Sequence, residues 1–238
     1  MGFDTTIDYV TTASTGNSYD FGDVNLSKKD TTGMSSGTYG ATFGGYSGYS
    51  GTGDDINYVT ISSAATSQTW GNILSSTDTG DGGSLSNATR GVGYSASRSG
   101  SNVIEYIKWE STADTEDFGD LARSSYSEGG NTEDTVRGVI WLGGFESPNY
   151  GSRTMEYITV ASTSNTADFG DVERFVKRVQ CFSNGTRGEH WGGYHHDGSS
   201  FILNDQIEYI TIATLGNSQD QGNLDDGGVG LAGGAGSA

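Results

Sequence analysis

The stretch Met155-Glu156-Tyr157-Ile158-Thr159-Val160-Ala161-Ser162-Thr163-Ser164-Asn165-Thr166-Ala167-Asp168-Phe169-Gly170-Asp171-Val172 decides the fold. Its first part alternates at period two and is rich in β-branched and aromatic residues, which is the pattern of a strand. Its last part, Asp-Phe-Gly-Asp, offers a large apolar ring, a glycine and two side chains that can hydrogen-bond a backbone turn. The same two phrases occur five times. The first is Ile7-Asp8-Tyr9-Val10, Ile56-Asn57-Tyr58-Val59, Ile104-Glu105-Tyr106-Ile107, Met155-Glu156-Tyr157-Ile158 and Ile207-Glu208-Tyr209-Ile210. The second is built on Phe21-Gly22, Trp70-Gly71, Phe118-Gly119, Phe169-Gly170 and Gln221-Gly222. The tyrosines are spaced by 49, 48, 51 and 52 residues, yet the residue before the glycine follows its tyrosine by 12 in every copy. A constant offset inside a drifting period means two strands joined by a turn of fixed length.

Working outward, a third phrase precedes each tetrad after the first: Tyr39-Gly40, Arg90-Gly91, Arg137-Gly138 and Arg187-Gly188, running toward a glycine-rich strand end. Residues 227–234 align with the third of these without a gap. A further candidate strand, as in Phe175 to Phe182, lies between the Asp-Phe-Gly-Asp phrase and the Arg-Gly phrase. No segment carries a long helical stripe. Four short strands per period of about 50 residues is the unit of a β-propeller blade. The sequence therefore predicts an all-β, five-bladed, single-domain propeller over residues 1–238, with an open β-solenoid of the same repeats as the alternative. Tyr9, Tyr58, Tyr106, Tyr157, Tyr209, Phe21, Trp70, Phe118 and Phe169 are the expected repeat core.

Closure is expected between the two ends of the sequence. The tyrosines lie 18, 15, 19 and 21 residues after the glycines of the Gly40, Gly91, Gly138 and Gly188 strands. Summing across the chain break from Gly228 to Tyr9 gives 19, inside that range. The N- and C-terminal strands would then share one blade. That blade is short, because only 5 residues separate Asn223 from Gly228.

Composition sharpens the picture. Gly is 39 of 238 residues, the net charge is −18, and hydrophobic residues are 32%. Those values alone suit a disordered chain. Against them stand 9 Phe, 4 Trp and 13 Tyr with a single proline, placed at repeat-equivalent positions. Thin blades that share each large residue between two sheets resolve the conflict. The excess of 30 acidic over 12 basic residues excludes a polyanion-binding face and so speaks against nucleic acid. No run is long and apolar enough for a membrane span. Cys181 is the sole cysteine, so no intrachain disulfide forms.

The repeat resembles the kelch repeat, with Trp70 where kelch repeats usually carry tryptophan and Phe or Gln in the other copies. More closely, Ile-Glu-Tyr-Ile-Thr-x-Ala-Ser-Thr-x-Asn-x-x-Asp-Phe-Gly-Asp-Val with a later Thr-Arg-Gly is similar to a repeat of virion structural and tail-fibre-like proteins of marine bacteriophages, cyanophages among them. The resemblance covers nearly the whole chain. It implies a virion component, attached to capsid or tail, whose partners are other virion proteins.

Candidate chemistry is sparse. Asp-Phe-Gly recurs once per period without any companion kinase motif, so a turn is expected. No catalytic residues and no cofactor can be placed by spacing. His195, His196 and Asp197 are the metal-ligating candidates, but adjacent histidines in a strand point to opposite faces and suit chelation poorly, so no metal is expected. Tyr46, Tyr49, Phe145, Tyr150 and Tyr194 follow the glycine-rich strand ends and would lie in loops on one face, where aromatic rings could stack on host surface glycans. Arg90, Arg137 and Arg187 are repeat-equivalent and are expected as contacts at one height around the ring.

Overall fold

The computed structural model describes residues 5–26, 28, 31–47, 51–74, 82–94, 101–125, 129–141, 152–197 and 199–226. Among these the protein is all-β, without a helix. An N-terminal hairpin, β1 (Thr6–Tyr9) and β2 (Tyr19–Asp23), comes first. Sheet I follows, with β3 (Thr32–Ser35), β4 (Tyr39–Phe43), β7 (Asp55–Thr60) and β8 (Gln68–Asn72); the small ribbon β5 (Tyr46–Ser47) and β6 (Gly51–Thr52) sits in its middle connection. Sheet II is β9 (Gly83–Ser86), β10 (Arg90–Tyr94), β11 (Ser101–Lys108) and β12 (Glu116–Ser125). Sheet III is β13 (Gly130–Glu133), β14 (Arg137–Trp141), β15 (Ser152–Thr159) and β16 (Ala167–Lys177). Sheet IV is β17 (Gln180–Ser183), β18 (Arg187–Trp191), β21 (Gln206–Thr211) and β22 (Gln219–Asn223); the hairpin β19 (Tyr194–His196) and β20 (Phe201–Leu203), inside its middle connection, pairs instead with β16 and extends sheet III. Every pairing is antiparallel, and the four sheets succeed one another in the manner of four propeller blades.

The constant 12-residue offset has a structural cause. In all five tetrad strands the register slips between the first and second tetrad residues, at Ile7/Asp8, Ile56/Asn57, Ile104/Glu105, Met155/Glu156 and Ile207/Glu208. The first tetrad residue at each bulge pairs with the repeat glycine: Gly22, Gly71, Gly119, Gly170 or Gly222. A β-bulge adds one residue to one strand and sharpens the twist, so an insertion in the hairpin would break the pairing. Before each Arg-Gly strand a side chain closes the turn. The Asn87 Oδ1 accepts the Thr89 and Arg90 amides, and Asp134 and Asn184 do the same one and two sheets later.

Packing is shared between neighbours, as the scarcity of aliphatics requires. Phe43, Ile56 and Trp70 of sheet I pack with Ile107 and Trp109 of sheet II. Val92, Ile104 and Phe118 of sheet II pack with Ile158 and Val160, and Trp141, Met155 and Phe169 of sheet III pack with Ile210 and Ile212. Trp70, Phe118 and Phe169 are buried, whereas Phe21 is half-buried. Of the five repeat tyrosines only Tyr106 is buried; Tyr58, Tyr157 and Tyr209 are half-buried and Tyr9 is exposed. Each ring lies beside its sheet's aromatic near the hairpin turn, with Tyr58–Trp70, Tyr106–Phe118 and Tyr157–Phe169 meeting edge to face at 4.9, 5.9 and 6.2 Å.

Five tetrads predict five blades, but among the described residues four tetrads lie in sheets of four or more strands and the first lies in a two-stranded hairpin. The first tetrad pairs only with β2, and residues 227–234, which align with the strands that pair with the other tetrads, lie outside the described residues. The candidate strand Phe175 to Phe182 is divided. β16 runs through Lys177, the chain turns at Arg178 with φ 56°, and β17 starts at Gln180.

The repeat glycine is the most restricted position. A Cβ on Gly22, Gly71, Gly119 or Gly170 would stand 2.1–2.4 Å from the carbonyl oxygen of Ala65, Ala113, Ser164 or Gly216 in the next sheet's hairpin turn. Gly119 and Gly222 share φ near +144°, but a Cβ on Gly222 meets nothing within 4 Å. Gly119→Ala is therefore expected to cost about 2–4 kcal/mol in urea unfolding of the dilute protein and Gly222→Ala about 1 kcal/mol. Equal losses would mean that backbone strain, and not the contact between sheets, makes this position glycine.

Candidate functional site

The residues that recur most strictly meet where one sheet touches the next. The Thr115 amide donates to the Asn72 carbonyl at 2.9 Å, Thr166 to Asp120 at 2.9 Å, Ser218 to Asp171 at 3.0 Å and Ser67 to Asp23 at 2.8 Å. A return bond runs from the Asn72, Asp120 and Asp171 amides to the side-chain oxygens of Asp114, Asn165 and Asn217, at 2.8, 3.1 and 3.0 Å. Beside them lies a buried carboxylate. Glu105, Glu156 and Glu208 are 4%, 2% and 1% exposed. Each accepts a hydroxyl from its own hairpin (Thr115, Thr166, Ser218) and a backbone amide from the preceding sheet: Leu74 at 3.2 Å, Ala122 at 3.0 Å and Glu173 at 3.3 Å. A carboxylate reaching amides and hydroxyls needs no cation beside it. We call the whole arrangement a clasp.

These glutamates were not among the residues expected to matter from sequence. The signal was present, since a polar residue stands second in all five tetrads and Ser or Thr follows every tyrosine by nine: Ser18, Ser67, Thr115, Thr166 and Ser218. The second residue shares the strand face of the fourth, and both turn toward the preceding sheet.

At Glu208 the clasp gains a histidine. His190 is fully buried, its Nε2 lies 3.5 Å from the Glu208 carboxylate, and its ring packs on Trp141 at 5.0 Å. Burial works against the charge on Glu208, and hydrogen bonds from His190 and Ser218 outweigh it and hold the carboxyl below its ordinary range. Ser218, Glu208 and His190 are the residue types of a catalytic triad in an order that cannot act as one. The hydroxyl and the imidazole both address the carboxylate, so no base is placed on the hydroxyl.

The arginines do not converge. Arg90, Arg137 and Arg187 each lie over the repeat tyrosine of the adjacent strand, 4.6, 4.6 and 3.9 Å from the centroids of Tyr106, Tyr157 and Tyr209. Such cation–π contacts hold the half-buried rings in place. Arg137 also donates to the Ile212 carbonyl of the next sheet.

His195, His196 and Tyr194 belong to β19. His196 packs on Phe201 at 5.0 Å, and the Asp197 carboxylate accepts the Ser199 and Ser200 amides at 2.8 Å each, which depresses its pKa. Among the described residues no group of three His, Cys, Asp or Glu could hold a metal ion. Of the expected ligand-facing aromatics, only Tyr194 has a described side chain; it is half-buried, with Phe201 at 6.2 Å. Tyr49, Phe145 and Tyr150 lie outside the described residues, and Tyr46 is described only as part of β5. Cys181 is half-buried, and burial raises the pKa of its thiol. A shallow groove of about 290 Å³ beside the β21–β22 turn, lined by Tyr209, Thr214, Leu215, Asn217 and Gln219, sits at the small end of ligand pockets. No described helix is long and apolar enough to cross a membrane.

The chain matches no protein-family model and no curated protein.

One carboxylate tests the electrostatics directly. Glu133 of β13 accepts the Ser86 amide of sheet II, and burial pushes its pKa from 4.5 up to about 7 despite that bond. The folded state thus holds the proton more tightly than the unfolded chain. The resulting stability is fully present below pH 4.5 and is lost as pH rises through 7. Glu133→Gln should remove up to about 3 kcal/mol of that decline, read from urea midpoints at both ends of the window. A pH profile parallel to the wild type would contradict this. Separately, Glu156→Ala removes one of the two acceptors of the Ala122 amide, which keeps the Thr166 hydroxyl at 3.1 Å, and should cost about 1–2 kcal/mol, most of it restored by Gln.

Proposed function

We propose that this chain is a non-enzymatic structural protein of a bacteriophage particle: an acidic, propeller-like array docked on capsid or tail, serving assembly and host attachment through protein contacts. The observation that supports it most is the use made of the ionisable groups. Glu105, Glu156 and Glu208 hold sheet to sheet, and Arg90, Arg137 and Arg187 cover tyrosines. An enzyme needs such groups turned together onto one open site, and here they are distributed along the array. The similarity of the repeat to those of phage structural proteins supplies the location, the virion. The five tetrads favour five blades, the fifth completed where the β1–β2 hairpin meets the other end of the array.

Host glycan binding has less support. The face of Phe201, beside Tyr194, is taken by Lys177, whose Nζ lies 3.7 Å from the ring centroid. A sugar would have to displace that ammonium to stack there.

The test is to follow the chain through density-gradient purification of intact particles of the phage that encodes it. We expect a fixed copy number per particle and cross-links to a capsid or tail protein. Particles that lack the chain would overturn the assignment. Binding on a glycan array that Tyr194→Ala abolishes would favour the second reading.

A further inference from the structure

The amide-to-carbonyl bond of the clasp is made four times, and each of its halves is left over once. The turn between β1 and β2 carries Gly16, Asn17 and Ser18 at the places that Ser164, Asn165 and Thr166 hold in sheet III. All three are exposed, and a Cβ on Gly16 meets nothing within 4 Å. At the other end of the array, Gly222 has the φ of Gly22, Gly119 and Gly170, with the same open space around it. Among the described residues nothing lies within 4 Å of that position, and no backbone hydrogen bond joins the two halves, which belong to one chain.

The uncovered hairpin also shows what it lacks. Val10 is 58% exposed, whereas its counterparts Ile107, Ile158 and Ile210, each covered by the preceding sheet, are 1–2% exposed. Tyr9 and Tyr19 are 45% and 60% exposed beside it. On the opposite end, sheet IV keeps the backbone half of the clasp and softens the packing. Gln221 replaces the aromatic of the other copies and Glu189 stands where sheets I–III have Ala41, Val92 and Val139.

We infer that a second copy of this chain docks head to tail, its β1–β2 hairpin seated on sheet IV at Gly222 and Asn223. This rests on the reading that the hairpin is the start of a fifth blade, and moves the completion of that blade from the same chain's far end to that of a second copy. The contact is heterologous, so it propagates from copy to copy unless the rotation closes a ring. Its hydrogen bonds repeat those of the inner clasps, and its reduced apolar content makes it weak and reversible. Two chains at −18 repel each other, so association tightens with salt.

Sedimentation equilibrium of the full chain, at about 0.15 M salt and well above it, reads this directly. The wild-type mass is expected to rise from 24.9 kDa with concentration, and to rise further with salt. Gly16→Glu/Asn17→Ala blocks every head, and Gly222→Ala blocks every tail. Each variant alone should remain monomeric. Mixed, they should form one dimer and nothing larger, because each supplies the half the other has lost. The head variant carries no backbone strain, so it remains informative if Gly222→Ala folds poorly. A wild type that stays monomeric throughout overturns the inference. If the head variant then lowers the thermal midpoint, the fifth blade is completed within one chain and the five-blade reading survives. If the midpoint does not move, both fall.

Discussion

The structure depends on the glycine that seats the next sheet's hairpin turn. The close approach of backbone to backbone there leaves no room for a Cβ, and it brings an amide, a carbonyl and an Asn or Asp side chain into register across the gap. Burial of Phe118 or Phe169 contributes roughly 2–3 kcal/mol each, comparable with the summed bonds of one clasp at about 1 kcal/mol apiece. Apolar packing therefore supplies much of the stability between sheets, and it would tolerate sliding. The clasp fixes which residue faces which.

The buried glutamates follow from the same constraint. The second tetrad residue shares a strand face with the fourth, toward the preceding sheet, and its carboxylate accepts a backbone amide there. At Glu208 hydrogen bonds outweigh burial and hold the carboxyl below its ordinary range. Asp8, in the copy with no described sheet before it, is exposed and accepts the Ser18 hydroxyl. Asn57 faces the two-stranded hairpin, and there Ser67 takes over, accepting the Asn25 amide. Sequence variation along the tetrads thus tracks how complete the neighbouring sheet is.

Much of the all-β architecture was legible in the sequence, because the tetrads and the fixed offset report strand, bulge and turn together. Trp70, Phe118 and Phe169 are buried as a shared core needs. The tyrosines were harder to read. Period two puts Tyr157 on the face of Met155, but near the hairpin turn, where the ring is half-buried under Arg137. The blade count could not be read from the tetrads alone, because a blade also needs a strand from the neighbouring phrase. The clasp glutamates escaped notice because each bonds to a different sheet, and a pattern inside one repeat carries no information about contact with the next.

Amide hydrogen exchange at the residue nine beyond each tyrosine tests the clasp most directly. In dilute solution, Ser67, Thr115, Thr166 and Ser218 should be protected to a similar degree, since each donates to the preceding sheet or hairpin. Ser18, the same position in the hairpin that no sheet precedes, should exchange freely. Free exchange at the four inner amides, or protection of Ser18 equal to theirs, would contradict the account.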